Sequence, residues 1–324
     1  MIRKRKLIRT LTALTFLLAV PFGLAWITSA RLTNAFKWGD FPIIPIQPSS
    51  EESLHVEYPS VYLTSSGVKL LYSAYGDDHR WRLKLATSSD DGNSFTKQGN
   101  IFSEKELSFE GNYAFPFVRE VQTNDSKLYE LYFAASDDGT GQYSALYRSR
   151  SINGLDWSAP EKFLAGNALD PIVLQQGGKD YIIFTARHGD DNVVMKSEIG
   201  QNGNAGVPSI IYTPSVGLYT LGLLKLNGKN IVVVENERSW TATCFGSGGT
   251  LLDSLGEPVA SFYKKSNKKW DSLKYGMDFV DIGETHRIYY NGIEDHGVET
   301  GGQIGTGTYD PSMIAERLNL QNCQ

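Results

Sequence analysis

The sequence predicts an all-β fold, a five-bladed β-propeller, preceded by an N-terminal signal or anchor segment. Two observations carry this. A unit of short strands joined by turn residues recurs along the chain, and its first three copies open on Pro59, Pro116 and Pro171, spaced 57 and 55 residues apart. The composition also suits a turn-rich β globule, with 12% aromatic residues and 32 glycines among 324 residues. Repeats of ~40–50 residues, each worth about four strands, are the mark of a propeller, because a lone meander cannot bury both faces of its sheet.

The first copy runs from Tyr58-Pro-Ser-Val-Tyr-Leu63 through Lys69–Tyr75, a polar loop at Gly76–Trp81, and Leu83–Thr87. The second comprises Phe115–Val118, Leu128–Ala134, a loop at Ser136–Gly139, and Ser144–Tyr147. The third comprises Asp170–Val173, Asp180–Ala186, the loop Arg187-His-Gly-Asp-Asp191, and Val193–Ser197. Fainter copies follow at Leu221–Leu226 with Ile231–Val234, and at Met277–Val280 with Arg287–Tyr290. The expected domains are therefore a signal or anchor at 1–30, a linker at 31–53, the propeller at 54–310, and a tail or short helix at 311–324. Within the proline-containing linker, Phe41-Pro-Ile-Ile44 is a candidate ring-closing strand. The Gly-, Asn- and Pro-rich stretch from Ile199 to Tyr219 reads as a crossover, and Phe245–Gly249 as an insertion in blade four.

Arg3, Lys4, Arg5, Lys6 and Arg9 precede an apolar run from Leu11 to Ile27 and small residues at Thr28-Ser-Ala30. A positive start, a hydrophobic run and a small-residue exit describe a secretory signal. The run also approaches the ~20 residues of a spanning helix. Export is the expectation, whether the segment is cleaved or retained as an anchor that holds the propeller outside. Net charge is −5 and basic residues form no run beyond the N-terminus, so a nucleic-acid footprint is lacking. Cys244 and Cys323 could pair under oxidising conditions but make no metal site or disulfide framework. No phosphate-binding loop, His-Glu-x-x-His motif or nucleophile elbow occurs.

Propeller geometry sorts the polar residues. The start of each inner strand and the loop between strands two and three share one face, around the mouth of the central channel. That face receives His55, Glu57, Asp77, Asp78, His79 and Arg80, then Glu110, Asp137 and Asp138. Blade three adds Asp170, Arg187, His188, Asp190 and Asp191; blade four adds Glu235, Glu237 and Arg238; blade five adds Asp278, Glu294, Asp295 and His296. The opposite face receives two turns, Ser89–Phe95 and Ser151–Trp157, sharing Ser, any residue, Asp or Asn, then Gly. In such turns the Asp or Asn oxygen binds nearby N–H groups and glycine supplies a positive φ. Their role is structural.

These turns resemble the Asp-box turns of sialidases and related propeller glycosidases. Together with the openings Tyr58-Pro-Ser-Val, Phe115-Pro-Phe-Val and Asp170-Pro-Ile-Val, the chain resembles the five-bladed glycosidases of families 43 and 32, the arabinanase, xylosidase and invertase relatives. The resemblance spans roughly residues 54–308. It implies an acidic residue directly before the proline-like position in blades one, two and three, serving as base or nucleophile, pKa tuner and general acid. Only Asp170 matches residue for residue; Tyr58 and Phe115 fill the other slots, with Glu57 one residue and Glu110 five residues earlier. A one-residue offset turns a strand side chain to the opposite face unless a bulge intervenes.

Glycoside cleavage needs one protonated carboxyl to assist departure and one ionised carboxyl to activate the attacking group. Asp170 is the candidate acid and Glu57 the candidate base, with Glu110 and Asp278 as further candidates. His79, Arg80, Trp81, Arg187, His188 and His296 are the candidate sugar-binding residues, Trp81 offering a stacking face. No cofactor or metal is expected, although His296 is placed to help hold a structural cation near the axis. The expected activity is that of an exported glycoside hydrolase on an extracellular or cell-envelope glycan. The alternative is a non-catalytic, glycan-binding or scaffolding propeller.

Overall fold

In the computed structural model, residues 35–48, 50–103, 112–123, 126–136, 142–213, 218–236, 239–244, 258–261, 269–294 and 301–318 are described. Their strands form five four-stranded antiparallel sheets in an all-β propeller. The first sheet has the order β2 (His55–Thr64), β3 (Gly67–Tyr75), β4 (Trp81–Ser88) and β5 (Thr96–Asn100). The second runs β6 (Tyr113–Gln122), β7 (Lys127–Ala135), β8 (Ala145–Ser151), β9 (Glu161–Ala165). The third runs β10 (Ala168–Gln176), β11 (Lys179–His188), β12 (Asp191–Ile199), β13 (Ser209–Tyr212). The fourth runs β14 (Leu218–Leu226), β15 (Lys229–Asn236), β16 (Ser239–Cys244), β17 (Pro258–Ser261). The fifth runs β18 (Leu273–Ile282), β19 (Thr285–Ile293), β20 (Gln303–Tyr309) and, outermost, β1 (Phe36–Trp38).

Each inner strand touches the next, β2 to β6 to β10 to β14 to β18, and β18 returns to β2, so the ring is closed. The cores lie between neighbouring sheets, as the alternating apolar pattern of half-buried strands demands. Leu71, Leu83, Leu131 and Phe133 fill the first seam. Ile172, Ile183, Leu221 and Val232 fill another, and Val56, Leu70, Tyr289 and Ile304 the seam that joins last sheet to first.

Closure differs from the sequence expectation. The latch is β1, where Phe36 pairs with Tyr309 and Trp38 with Gly307, while Ile44 makes an isolated bridge to Ile304. Prolines at 42 and 45 remove the donors a ladder needs, which leaves that stretch only a single bridge. The crossover expected from Ile199 to Tyr219 contains β13, and the outer strand of blade four is β17. After Asp310 the chain forms a short helix, α1 (Pro311–Leu318), capped by the Asp310 carboxylate, which accepts the N–H groups of Ser312 and Met313. Among the described residues no helix is long and apolar enough to cross a membrane. The expected signal or anchor at 1–30, the insertion at Phe245–Gly249, and Cys323 lie outside them, as does the Cys244 side chain.

The two Asp-box-like turns are present, with one shift of register. Ser88, not Ser89, accepts the Gly92 N–H at 2.9 Å, and Asp90, not Asp91, accepts the Ser94 N–H at 2.9 Å. In the second turn Ser151 accepts from Gly154 at 2.8 Å and Asn153 from Leu155 at 2.9 Å. The first turn is one residue longer because Asp91 adopts a left-handed φ of 55°. A tyrosine of the preceding sheet pins each turn: Tyr289 donates to Gly92 O at 2.9 Å, and Tyr62 to Gly154 O at 2.7 Å.

Candidate active site at the axial mouth

Each inner strand carries a bulge near its start: the register shifts between Glu57 and Ser60, Ala114 and Phe117, Leu169 and Ile172, Leu218 and Leu221, and Tyr275 and Asp278. At four of these bulges a residue takes a left-handed conformation: Tyr58 (φ 56°), Phe115 (60°), Asp170 (48°) and Gly276 (60°). For the three non-glycine residues this backbone costs on the order of 1–3 kcal/mol each and persists only where surroundings fix it. Proline follows each of those three, and its missing N–H suits a bulge whose ladder bond is broken. All four, with Thr220, line one pocket on the propeller axis.

A side chain from the neighbouring sheet's second strand holds several of these bulges. Ser73 accepts the Phe115 N–H at 3.0 Å, and Asn291 accepts the Tyr58 N–H at 2.7 Å. At the fifth sheet Glu235 plays this part, accepting from Gly276 at 2.7 Å and from Met277 at 3.2 Å. Met277 stands where three other strands have proline, so this bulge presents two donors and needs two acceptor oxygens. A carboxylate supplies both. At Gly276 a Cβ would collide with Asn291 Nδ2, so only glycine fits.

The offset acid, Glu57, adjoins the first of these bulges, next to Tyr58. The phenol of Tyr58 is held well above its ordinary pKa, first by burial and then by the nearby charges of Glu57, Asp170, Tyr143 and Glu235. The carboxyls of Glu57, Asp170 and Glu235 thus all act on the Tyr58 phenol, and Tyr58 and Asp170 line the axial pocket. Glu57 is 3% exposed; its Oε1 lies 2.8 Å from His55 Nδ1, and the Tyr275 hydroxyl also bonds it. Asp170 is 6% exposed; Thr185 donates to its Oδ2 at 3.0 Å, and the Thr220 hydroxyl, which donates to Leu221 O at 3.3 Å, lies close enough to act on it. Burial raises Asp170 to about 7, against the lowering effect of those hydroxyls. Glu235 is pushed up to about 8 by burial, opposed by its two backbone bonds. Asp170 thus brings to the axial pocket a carboxyl whose burial favours its protonated form, while Glu235 is buried behind the Gly276 bulge.

An aromatic wall adjoins them. The Trp81 ring lies 5.0 Å from Tyr75, 5.7 Å from His55 and 6.2 Å from Tyr58, and Tyr58 lies 4.3 Å from Phe115. Trp81, expected in a loop, is the first residue of β4. His79 Nδ1 is 3.2 Å from the Tyr75 hydroxyl, at the outer edge of this cluster. Arg80 is exposed on the loop before β4, its N–H bonded to Asp78. Arg187 and His188 are exposed at the tip of the β11–β12 hairpin, where Arg187 Nε donates to Gly189 O at 3.3 Å.

Asp278 sits two residues beyond its bulge, and its Oδ2 accepts the Val61 N–H at 2.5 Å. Ser60 does the same for Val118 at 2.9 Å, so this is a repeated strand-to-strand tie. Burial raises Asp278 to about 7. Glu110 and His296 lie outside the described residues, as do Asp137, Asp138, Glu237, Arg238 and Asp295. Among the described residues no cluster of His, Cys, Asp and Glu has the geometry to hold a metal ion.

Sequence reasoning sets Glu235 on this face without naming it among the acids, and it does not single out Tyr143, Tyr275 or Thr185. With 17 tyrosines in the chain, no local signal separates those at the mouth from those in the seams. A carboxylate at the end of an apolar strand, Ile231-Val-Val-Val-Glu235, is the one available clue.

No protein-family model matches the chain, and no curated protein does. Solved structures do share its fold. The catalytic domain of a GH62 α-L-arabinofuranosidase from Coprinopsis cinerea is similar at 14% identity, over 85% of this chain and 97% of that one, with a TM-score of 0.66. A β-1,2-mannobiose phosphorylase from Listeria innocua is similar at 13% identity, over 88% and 99%, with a TM-score of 0.68. The α-L-arabinofuranosidase PaAbf62A from Podospora anserina, solved with cellotriose, is similar at 14% identity, over 85% and 97%, with a TM-score of 0.65. The chain thus has the β-propeller fold of glycoside hydrolases and phosphorylases.

Proposed function

We propose that the chain is an exported, glycoside hydrolase-like enzyme whose five sheets serve as the blades of one propeller. It cleaves an extracellular or cell-envelope polysaccharide or oligosaccharide by carboxylate acid/base chemistry at the axial mouth. One observation carries the reading: Asp170, raised to about 7, lines the axial pocket beside Tyr58, whose phenol feels the charges of both Asp170 and Glu57. A sugar stacked on Trp81 would place its glycosidic oxygen by Asp170. The Asp170 carboxyl gives its proton to that oxygen as the C1–O bond breaks. Glu57 takes a proton from water as the water oxygen bonds C1. The fold's occurrence in arabinofuranosidases and a mannobiose phosphorylase supports this chemistry. Export rests on the N-terminal sequence of charged, apolar and small residues.

The test is release of sugar from a glycan panel by the wild-type protein and by Asp170→Asn. The amide keeps the shape but has no proton to give, so turnover should fall by about 10²–10⁴. Unchanged turnover by the variant sinks the assignment. A second reading, a non-catalytic glycan-binding propeller, is favoured by one observation. Both carboxyls are already tied, Glu57 to His55 and Tyr275 and Asp170 to Thr185, and both are almost fully buried. Binding without release by the wild-type protein would select it.

A further inference from the structure

We propose that Tyr143 is a substrate-binding residue whose phenol bonds a hydroxyl of the sugar held between Asp170 and Glu57. This deepens, and rests on, the glycan reading of the axial mouth. The Tyr143 oxygen is buried and has no hydrogen-bond partner among the described residues. Other buried tyrosines do not behave this way. Tyr62 donates to Gly154 O at 2.7 Å, Tyr72 to Glu52 at 3.0 Å, Tyr132 to Glu130 at 2.9 Å, and Tyr290 to Asp271 at 3.1 Å. A buried hydroxyl left unpaired is disfavoured, so native proteins seldom keep one without a use.

Its surroundings say what the use is. The Tyr143 phenol is held above its ordinary pKa by burial first, and then by Asp170, Glu57 and Tyr75, in that order. The oxygen therefore lies near both candidate catalytic carboxyls without bonding either. Its ring packs edge-on against Phe115 at 5.3 Å, and Phe115 in turn touches Tyr58, both of which line the axial pocket. A donor O–H beside two acceptor carboxyls matches a polyol ring: one sugar hydroxyl accepts from Tyr143 while its neighbours donate to the acids. The ligand class is a carbohydrate with adjacent free hydroxyls.

The experiment is calorimetric titration of the full chain and of Tyr143→Phe with cellotriose, xylotriose and β-1,2-mannobiose, alongside thermal unfolding of both proteins. Removing an unpartnered hydroxyl leaves the melting temperature unchanged or slightly higher. Affinity for the glycan that binds should fall roughly five- to tenfold, the worth of one hydrogen bond. Equal affinity in the two proteins overturns the assignment of Tyr143 and leaves the glycan reading standing. So does a lowered melting temperature, which would mean that the hydroxyl serves the fold. If the wild-type protein binds none of the three, the glycan reading fails and this inference fails with it.

Discussion

Glu235 gives one carboxylate oxygen to the N–H of Gly276 and the other to the N–H of Met277. The same task needs only a serine or an asparagine at two other seams, because a proline there removes one donor. The number of acceptors thus follows the number of donors, blade by blade. Glu235→Gln should therefore cost about 1–3 kcal/mol, since an amide N–H₂ would face one of the two backbone donors. Chemical denaturation of the variant checks this, and an unchanged midpoint would falsify it.

Stability should fall as the pH rises. Asp170 and Asp278 are raised to about 7 and Glu235 to about 8, all by burial. A carboxyl raised in the folded state holds its proton more tightly there than in the unfolded chain. Its contribution is present in full below about pH 4 and is lost as the pH climbs through 7 and 8, at about 1.4 kcal/mol for each pH unit between the unfolded and folded values. Asp90, lowered to about 2 by hydrogen bonds from Ser94 and Ser88, acts oppositely but only below about pH 4. Melting curves from pH 4.5 to 8.5 should show a steady decline. Asp278→Asn keeps an acceptor for Val61 and should make that decline shallower.

Gly92 and Gly178 share a positive φ, 77° and 76°, but not their surroundings. A Cβ on Gly178 meets nothing within 4 Å, whereas one on Gly92 collides with the Tyr289 hydroxyl that pins the turn. Gly178→Ala should cost about 1 kcal/mol from backbone strain alone. Gly92→Ala should cost about 2–4 kcal/mol, because the Tyr289 bond across the ring seam is lost as well. Equal losses in thermal unfolding would show that the pin contributes nothing.

Trp81→Ala should weaken binding of whichever glycan the protein takes by more than about tenfold, since the ring is the broadest aromatic face beside the acids. Its backbone N–H bond to Asn112, at 2.8 Å, survives the change, so the fold should keep most of its stability. Titration together with melting separates the two effects.

Much of the fold is legible in the sequence because each sheet repeats one pattern: an apolar inner strand, a hairpin and a third strand. The X-Pro openings mark the bulges at Tyr58, Phe115 and Asp170. What the sequence hides is how a bulge turns its neighbours. Counted along a regular strand, Glu57 belongs to the wrong face, yet the left-handed Tyr58 beside it breaks that count, and the Tyr58 phenol feels the Glu57 charge. Asp278 is equally acidic on paper, but its carboxyl is used up by the Val61 N–H. Asp170 and Glu57 can be proposed from the residues. Tyr143 cannot, because its distinction is an unmade bond.

The latch strand Phe36–Trp38 precedes every other described strand along the chain, and its partner, Gln303–Tyr309, follows them all. The final sheet cannot be finished until residue 309 has emerged, so the open circle must wait with its earliest strand idle. A chain cut before residue 303 should leave that strand without a mate and the ring unsealed, prone to pair instead with another copy.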